Sequence, residues 1–357
     1  MSNPPVIAAV DGSDHSLRAL EWARTAALSR GTGLLVAHVL PDVSQLYAGR
    51  RSSLHDPNEP ERFADPVGDY VRGVLEAAPE LPREVRYEAL EGSVPEALRV
   101  IAAEAAPTML VMGSRGRGGF ATLLLGSNSR AVATTATCPV VVVPHADRDA
   151  PRADAPGGAH GGAPGGGAPG GAPGGAPGGA PGGAPGTDPP GTDPHGAGAS
   201  AGRVVLGLHA AETPEDVLLF AFAEAAARGT TVQVVSAYAV PPGPTLIVDS
   251  PFQVIPPEAL ADDGDAVPAE REMLRSQTQR LAPLRTRYPD VPVEQAAVPG
   301  DAAGRLVDAS RTAALVVVGR HHPRRRSLLM GSVANAVLQH AHGPVAVVPA
   351  LHPDEDA

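Results

Sequence analysis

The sequence predicts two tandem α/β domains, each a doubly wound, five-stranded parallel sheet flanked by helices, joined by a disordered Gly/Pro/Ala linker. Three observations lead there. In each half, short β-branched apolar runs alternate with helical patterns, the order of βα units whose sheet is covered on both faces. A long motif is written twice: Gly113-Ser114-Arg115-Gly116, nine residues, Gly126-Ser127 and a Cys138-Pro139-Val-Val-Val-Val143-Pro144 ending reappear as Gly319-Arg320-His321-His322, eight residues, Gly331-Ser332 and Gly343-Pro344-Val-Ala-Val-Val348-Pro349. The offsets are 206 for Gly319 against Gly113 and 205 for Gly331 against Gly126 and Pro344 against Pro139, so a whole domain is duplicated. Third, the stretch 163–186 repeats Ala-Pro-Gly-Gly with no large apolar side chain, which favours disorder over a packed core.

Taken in order, residues 6–10 form a first strand that ends at Asp11-Gly12-Ser13. A helix follows, with Leu17, Leu20, Ala23 or Arg24, and Ala27 on one side, and it closes at Gly31. Strands are expected over 34–40, 85–90, 109–112 and 140–143, and helices near 66–78, 94–106 and 127–136. The second half retraces this with strands over 204–208, 231–237, 293–298, 315–318 and 345–348. Its first helix is expected to open with Thr213 as N-cap and Pro214 at the first helical position. Segments 41–66 and 241–268, rich in Pro and polar residues, read as lids or outer loops. The resulting boundaries are a first domain over 1–144, a linker over 145–202, a second domain over 203–350 and a tail over 351–357.

The 357-residue chain has room for two ordinary domains, and its formal net charge of −11 argues against nucleic acid as a partner. No run approaches the ~18 apolar residues of a membrane span, and the N-terminus lacks a basic leader region. A single cysteine, Cys138, can form no internal disulfide. Together these place the protein in a reducing cytoplasm, away from membranes. All 28 basic residues are arginine; with no lysine, a P-loop lysine and lysine catalysis are excluded.

In an open parallel sheet, ligands sit beyond the carboxyl ends of the strands at the topological switch point. Asp11 follows the first strand, where its carboxylate can accept hydrogen bonds from a ribose or base edge. Gly113 follows the fourth and opens a glycine-rich loop that ends at Gly126-Ser127, where a helix begins. Glycines let the backbone approach phosphate oxygens, the helix N-terminus offers N–H groups and partial positive charge, and Ser127 adds a hydroxyl. Arg115 and Arg117 can neutralise the remaining charge. Taken singly, each glycine is a turn residue, Ser127 an N-cap and Asp11-Gly12 a turn; the spacing in strand–loop–helix context is what points to a nucleotide.

These residues carry a resemblance. The Val10-Asp11-Gly12-Ser13 opening, the Gly113-x2-Gly116-x9-Gly126-Ser127 loop and the Cys138–Pro144 ending resemble the universal stress protein family over about 1–144 and, more weakly, 203–350. The resemblance implies ATP binding in one branch, with or without Mg2+, and pairing of two domains through their last strands. Carried over, Asp11 would hold the ribose or adenine side and Val39 would meet adenine through its backbone. Gly113, Gly116, Gly126 and Ser127 would cradle the phosphates, with Met112 and Asn128 beside them.

The second copy has lost much of this. Aligning Gly229-Thr230 with Gly31-Thr32 sets an offset of 198, which puts His209 opposite Asp11 and Ala237 opposite Val39. His322 replaces the middle glycine, so ATP is not expected there in the family manner. Arg320, Arg324, Arg325 and Arg326 read as a solvated face, with an anion cradle as the competing reading. His321, His322, His340 and His342 match no metal spacing, and Cys138 reads as a packed small hydrophobe.

Three functions compete. The first is a nucleotide-responsive stress-response module with ATP in the N-terminal domain and a protein partner unknown. The second is a weak ATPase or adenylyl transferase, for which neither paired acidic residues near the loop nor a catalytic residue is evident. The third is a nucleotide-free scaffold. Strands 140–143 and 345–348 are expected to pair within one chain, which covers two exposed edges and leaves a homodimer open.

Overall fold

The computed structural model describes residues 3–40, 65–116, 125–144, 202–238, 266–320 and 330–350. The linker stretch 145–201, the tail 351–357 and most of the two outer segments lie outside the described residues, as do Arg117 and 321–329 with His321, His322, Arg324, Arg325 and Arg326.

Within them the first half runs β1 (Val6–Ala9), α1 (Asp14–Arg30), β2 (Leu34–Val39), α2 (Pro66–Glu76), β3 (Val85–Leu90), α3 (Val94–Ala105), β4 (Met109–Gly113), α4 (Ser127–Thr135) and β5 (Val140–Val143). The second half runs β6 (Val204–Gly207), α5 (Glu215–Arg228), β7 (Val232–Tyr238), α6 (Ala266–Arg287), β8 (Val293–Pro299), α7 (Ala302–Ala309), β9 (Leu315–Gly319), α8 (Ser332–His340) and β10 (Val345–Val348).

All ten strands join one sheet in the order β3-β2-β1-β4-β5-β10-β9-β6-β7-β8. Each half is parallel throughout, and the halves meet where β10 pairs antiparallel with β5. The register there is Val345↔Val142, Ala346↔Val141 and Val347↔Val140. With the repeat offset of 205, Ala346 is the repeat mate of Val141, and the other two pairs exchange under the same operation. The duplicated domain therefore pairs with its own copy about a pseudo-two-fold axis through Val141 and Ala346.

Central strands are buried end to end, which explains sequences as uniform as the Val140–Val143 run. The outermost strands differ: β3 and β8 carry Arg86, Glu88 and Glu294 among their apolar residues because one face meets solvent. Two cores sandwich the sheet. One lies under α1, α2, α5 and α6 and includes Leu20, Leu75, Phe222 and Leu281; the other lies under α3, α4, α7 and α8 and includes Leu98, Val132, Leu306 and Val337. Helix α1 packs through Ala19, Ala23, Ala26 and Ala27, small residues that bring its axis close to the strands. It is capped by Ser13, whose Oγ accepts from the Ser16 N–H, and stops at Gly31 in the left-handed region at φ 61°.

One expected boundary is corrected. Helix α5 begins at Glu215 with Pro214 as its N-cap, and the Thr213 hydroxyl accepts from the His209 N–H at 2.9 Å instead of capping the helix. Helix α6 reaches into the segment read as an outer loop. It is anchored by the buried Gln277, whose amide donates to Ser236 Oγ at 2.8 Å and to the Ala296 carbonyl at 3.0 Å. No helix among the described residues is long and apolar enough to cross a membrane.

Candidate functional site

In the first half the order β3-β2-β1-β4-β5 places the switch point between β1 and β4. Asp11 emerges there. Its Oδ1 accepts from the Ser13 N–H at 3.0 Å and the Ser13 hydroxyl at 2.6 Å. Its own N–H donates to Ser16 Oγ at 3.2 Å. The carboxylate is thereby fixed to the first turn of α1, and its Oδ2 faces the loop after β4. A Cβ added at Gly116 would stand 2.6 Å from that oxygen. The structure thus brings Asp11 and Gly116 into contact across the crevice.

The other loop residues divide by role. A Cβ on Gly113 would lie 2.9 Å from the His15 carbonyl oxygen, so this glycine lets the first turn of α1 close onto β4. Gly126 donates its N–H to the Ser114 carbonyl at 2.8 Å, while Ser114 donates to the Val143 carbonyl at 2.9 Å. Ser114 thus ties the loop's two ends together and fastens them to β5. Ser129 Oγ adds a hydrogen bond to the Gly113 carbonyl at 2.8 Å. Ser127 and Asn128 are exposed on the first turn of α4, whose leading N–H groups have no intrahelical acceptor.

Val39 ends β2 on the opposite wall. Val10 donates to the Ala37 carbonyl on one side of β2, and Leu40 donates to the Leu90 carbonyl on the other. By the alternation of a strand, the Val39 N–H and C=O face the side where β1 has already ended, beside Asp11. Met112 is buried in the core under α3 and α4, and Arg115 is half-buried, its Nε without a hydrogen-bond partner among the described residues. Sequence reasoning missed Ser13, which holds the carboxylate, and Ser114, whose buried hydroxyl has no hydrogen-bond partner among the described residues. Their signal was a small polar residue beside each motif glycine.

The second half keeps the backbone hydrogen bonds at the two ends of this loop and changes the side chains around them. Gly331 donates to the Arg320 carbonyl at 2.9 Å and Arg320 to the Val348 carbonyl at 2.9 Å, repeating the Gly126–Ser114–Val143 pattern. Arg320 sends its guanidinium to the Ala136 carbonyl of the first half. His209, in the place of Asp11, has an imidazole 3.5 Å from Glu212 Oε2. Among the described residues, no group of three or more His, Cys, Asp or Glu side chains could hold a metal ion. Cys138 is buried, and that burial pushes its thiol up to about 11.

The model of the universal stress protein family matches residues 3–144 and again 201–349. This chain belongs to the universal stress protein family. A universal stress protein of Mycobacterium tuberculosis is 31% identical over 353 residues, covering 96% of each chain. A universal stress protein of Thermus aquaticus is 34% identical over 140 residues, which are 39% of this chain and 96% of that relative. One half of this chain therefore has the length of a complete universal stress protein. A solved universal stress protein from Archaeoglobus fulgidus superposes with a TM-score of 0.54 at 14% identity, covering 98% of this chain and 100% of that one, a likeness of fold alone.

Proposed function

We propose that the first half binds an adenine nucleotide, ATP alone or as its Mg2+ complex, and that its occupancy regulates a stress-response interaction. The observation carrying this reading is the fixed Asp11 carboxylate standing so close to Gly116 that a β-carbon there would lie 2.6 Å from its Oδ2, at the strand ends where β2 also finishes at Val39. The residues fit the group. A β-carbon at 116 would collide with the Asp11 carboxylate, so only glycine lets this loop lie against it, and a carboxylate held by Ser13 can still accept from ribose hydroxyls. Gly116, Ser127 and Asn128 would meet the phosphates through backbone N–H groups, helped by the Ser127 hydroxyl and by Arg115. Gly113 and Gly126 would support the cradle indirectly, by packing and by loop closure. Mg2+ is held in nucleotide sites largely by the phosphates themselves, and would be carried there by the ATP.

The test is an ATP titration by calorimetry with and without Mg2+. Wild type is expected to saturate, and Gly116→Arg and Asp11→Ala to lose at least about tenfold in affinity, or ~1.4 kcal/mol. A nucleotide-free scaffold is the second reading, favoured by the packing roles that already account for Gly113 and Gly126. Absence of any ATP-dependent melting shift in folded wild type would decide for it.

A further inference from the structure

The junction between the halves holds a buried charge cluster that its pseudo-two-fold symmetry does not share out equally. Glu224 of α5, with its side chain 1% exposed, pairs with Arg30 of α1 from the first half and with Arg228 of its own helix, the latter at 3.1 Å. At the repeat offset of 198, Arg228 is the mate of Arg30 and Ala26 is the mate of Glu224. The two arginines are therefore symmetric, and the carboxylate between them is not. Ala26 is itself buried, one turn before Arg30 on the same face of α1. A second contact across the junction is also one-sided. Arg320 donates to the Ala136 carbonyl of the first half, whereas Ser114, at the equivalent place in the backbone pattern, has a hydroxyl with no hydrogen-bond partner among the described residues.

The strands that meet here cannot tell one half from the other. β5 reads Val-Val-Val-Val and β10 reads Val-Ala-Val-Val, so either edge would accept its own copy as readily as its mate. The charges can tell them apart, because the symmetry fixes what each pairing would bury at these positions. A first half with a second half brings both arginines and the one carboxylate. Two second halves would bring Arg228 twice and Glu224 twice. Two first halves would bring Arg30 twice and Ala26 twice. Burying a charge whose partner has been removed is strongly destabilising, so the last combination is the one the cluster rejects.

We propose that Glu224 selects the domain that the first half accepts: one of this fold with a carboxylate at that place, which is its own second half or the second half of another copy of this chain, and not another first half. The like edge strands supply affinity, and the shared carboxylate supplies the choice. By the same symmetry the carboxylate serves from either side of the junction, so Ala26→Glu should stand in for a lost Glu224. The selection does not depend on what either half binds.

The test uses the full chain with a protease site placed in the 163–186 repeat and cut after folding, so that only the junction holds the halves together. Light and isotopically heavy preparations are mixed, diluted until the halves separate, reconcentrated and read by native mass spectrometry. Wild type is expected to form first–second pairs, light–heavy hybrids among them, with first–first pairs below about a tenth of their number, against about half for random pairing. Glu224→Ala should weaken first–second pairing by at least about a hundredfold. Adding Ala26→Glu to that variant should bring the affinity back to within about tenfold of wild type, which simple loss of packing at 224 would not allow. Circular dichroism checks that each variant is folded; should one not fold, the wild-type proportions decide. First–first pairs above that fraction in wild type, or a folded double variant that stays unpaired, would overturn the proposal.

Discussion

Arg30 of α1 forms an ion pair with Glu224 of α5, and the carboxylate lies across the boundary between the two copies with its side chain only 1% exposed. Arg228, the repeat mate of Arg30 at the offset of 198, grips the same carboxylate at 3.1 Å and stacks over Trp22 at 4.7 Å. The mate of Glu224 is Ala26, so the pseudo-symmetric pair of arginines shares one carboxylate. Burial, with Arg228 nearby, pushes the Arg30 guanidinium down to about 10. Two first halves paired together would bury two arginines with no carboxylate. The triad therefore favours joining a first half to a second.

Removing the shared carboxylate should be costly. Glu224→Ala is expected to lose about 3–5 kcal/mol, because it leaves two guanidiniums buried and unpaired. Replacing all three members by apolar residues of similar volume should restore most of that loss. Denaturant midpoints of the single and triple variants check this, and a single variant as stable as wild type would refute it.

The two glycines of the Gly-Ser-Arg-Gly motif should separate stability from binding. Gly113→Ala places a methyl 2.9 Å from the His15 carbonyl and should destabilise by about 1–3 kcal/mol while folded protein keeps its ATP affinity. Gly116→Ala displaces the Asp11 carboxylate and should weaken ATP by at least about tenfold with little change in melting. Melting curves and ATP titrations of both variants distinguish these outcomes.

Cys138 should contribute a measurable alkaline slope. Its thiol titrates near 9 when unfolded and is pushed up to about 11 in the fold by burial. Between those values the native state binds more protons than the unfolded state, so stability must fall as pH rises through this window. Below pH 9 the contribution is fully present. Urea unfolding of wild type and Cys138→Ala at pH 8, 9, 10 and 11 checks this: wild type should lose stability relative to the variant. The thiol should also resist alkylation at pH 8 until the chain is unfolded.

Much of the fold was legible because both faces of the central strands are covered. Runs such as Val140–Val143 cannot then be mistaken for amphipathic elements. The meeting of β5 and β10 was foreseeable from two equivalent edge strands in a duplicated chain, while its antiparallel sense comes from the structure. The start of α5 was misjudged because Thr213-Pro214 fits either of two adjacent cap positions, and only the His209 N–H, which takes the Thr213 hydroxyl, decides between them. Helix α6 was hidden by its polar composition and by Pro283 in its interior. At the site, spacing singled out Asp11 and the loop glycines, and the family resemblance added Val39; in the fold Asp11 follows β1, Val39 ends β2 and Gly113 ends β4, all at the carboxyl ends of the first half's strands. Spacing could not tell that Gly113 answers to His15 and Gly126 to Ser114, because a packing glycine and a binding glycine are the same letter.

Nucleotide stoichiometry tests the central claim most directly. The full chain would be saturated with ATP and Mg2+, freed of excess and denatured with acid, and the released nucleotide counted per chain. The account predicts about one, held by the Asp11–Gly116 crevice, falling to zero in Gly116→Arg. A value near two would mean that the second half also holds ATP despite His209 in the place of Asp11, and a value near zero would remove ATP from the first half; either result contradicts the account.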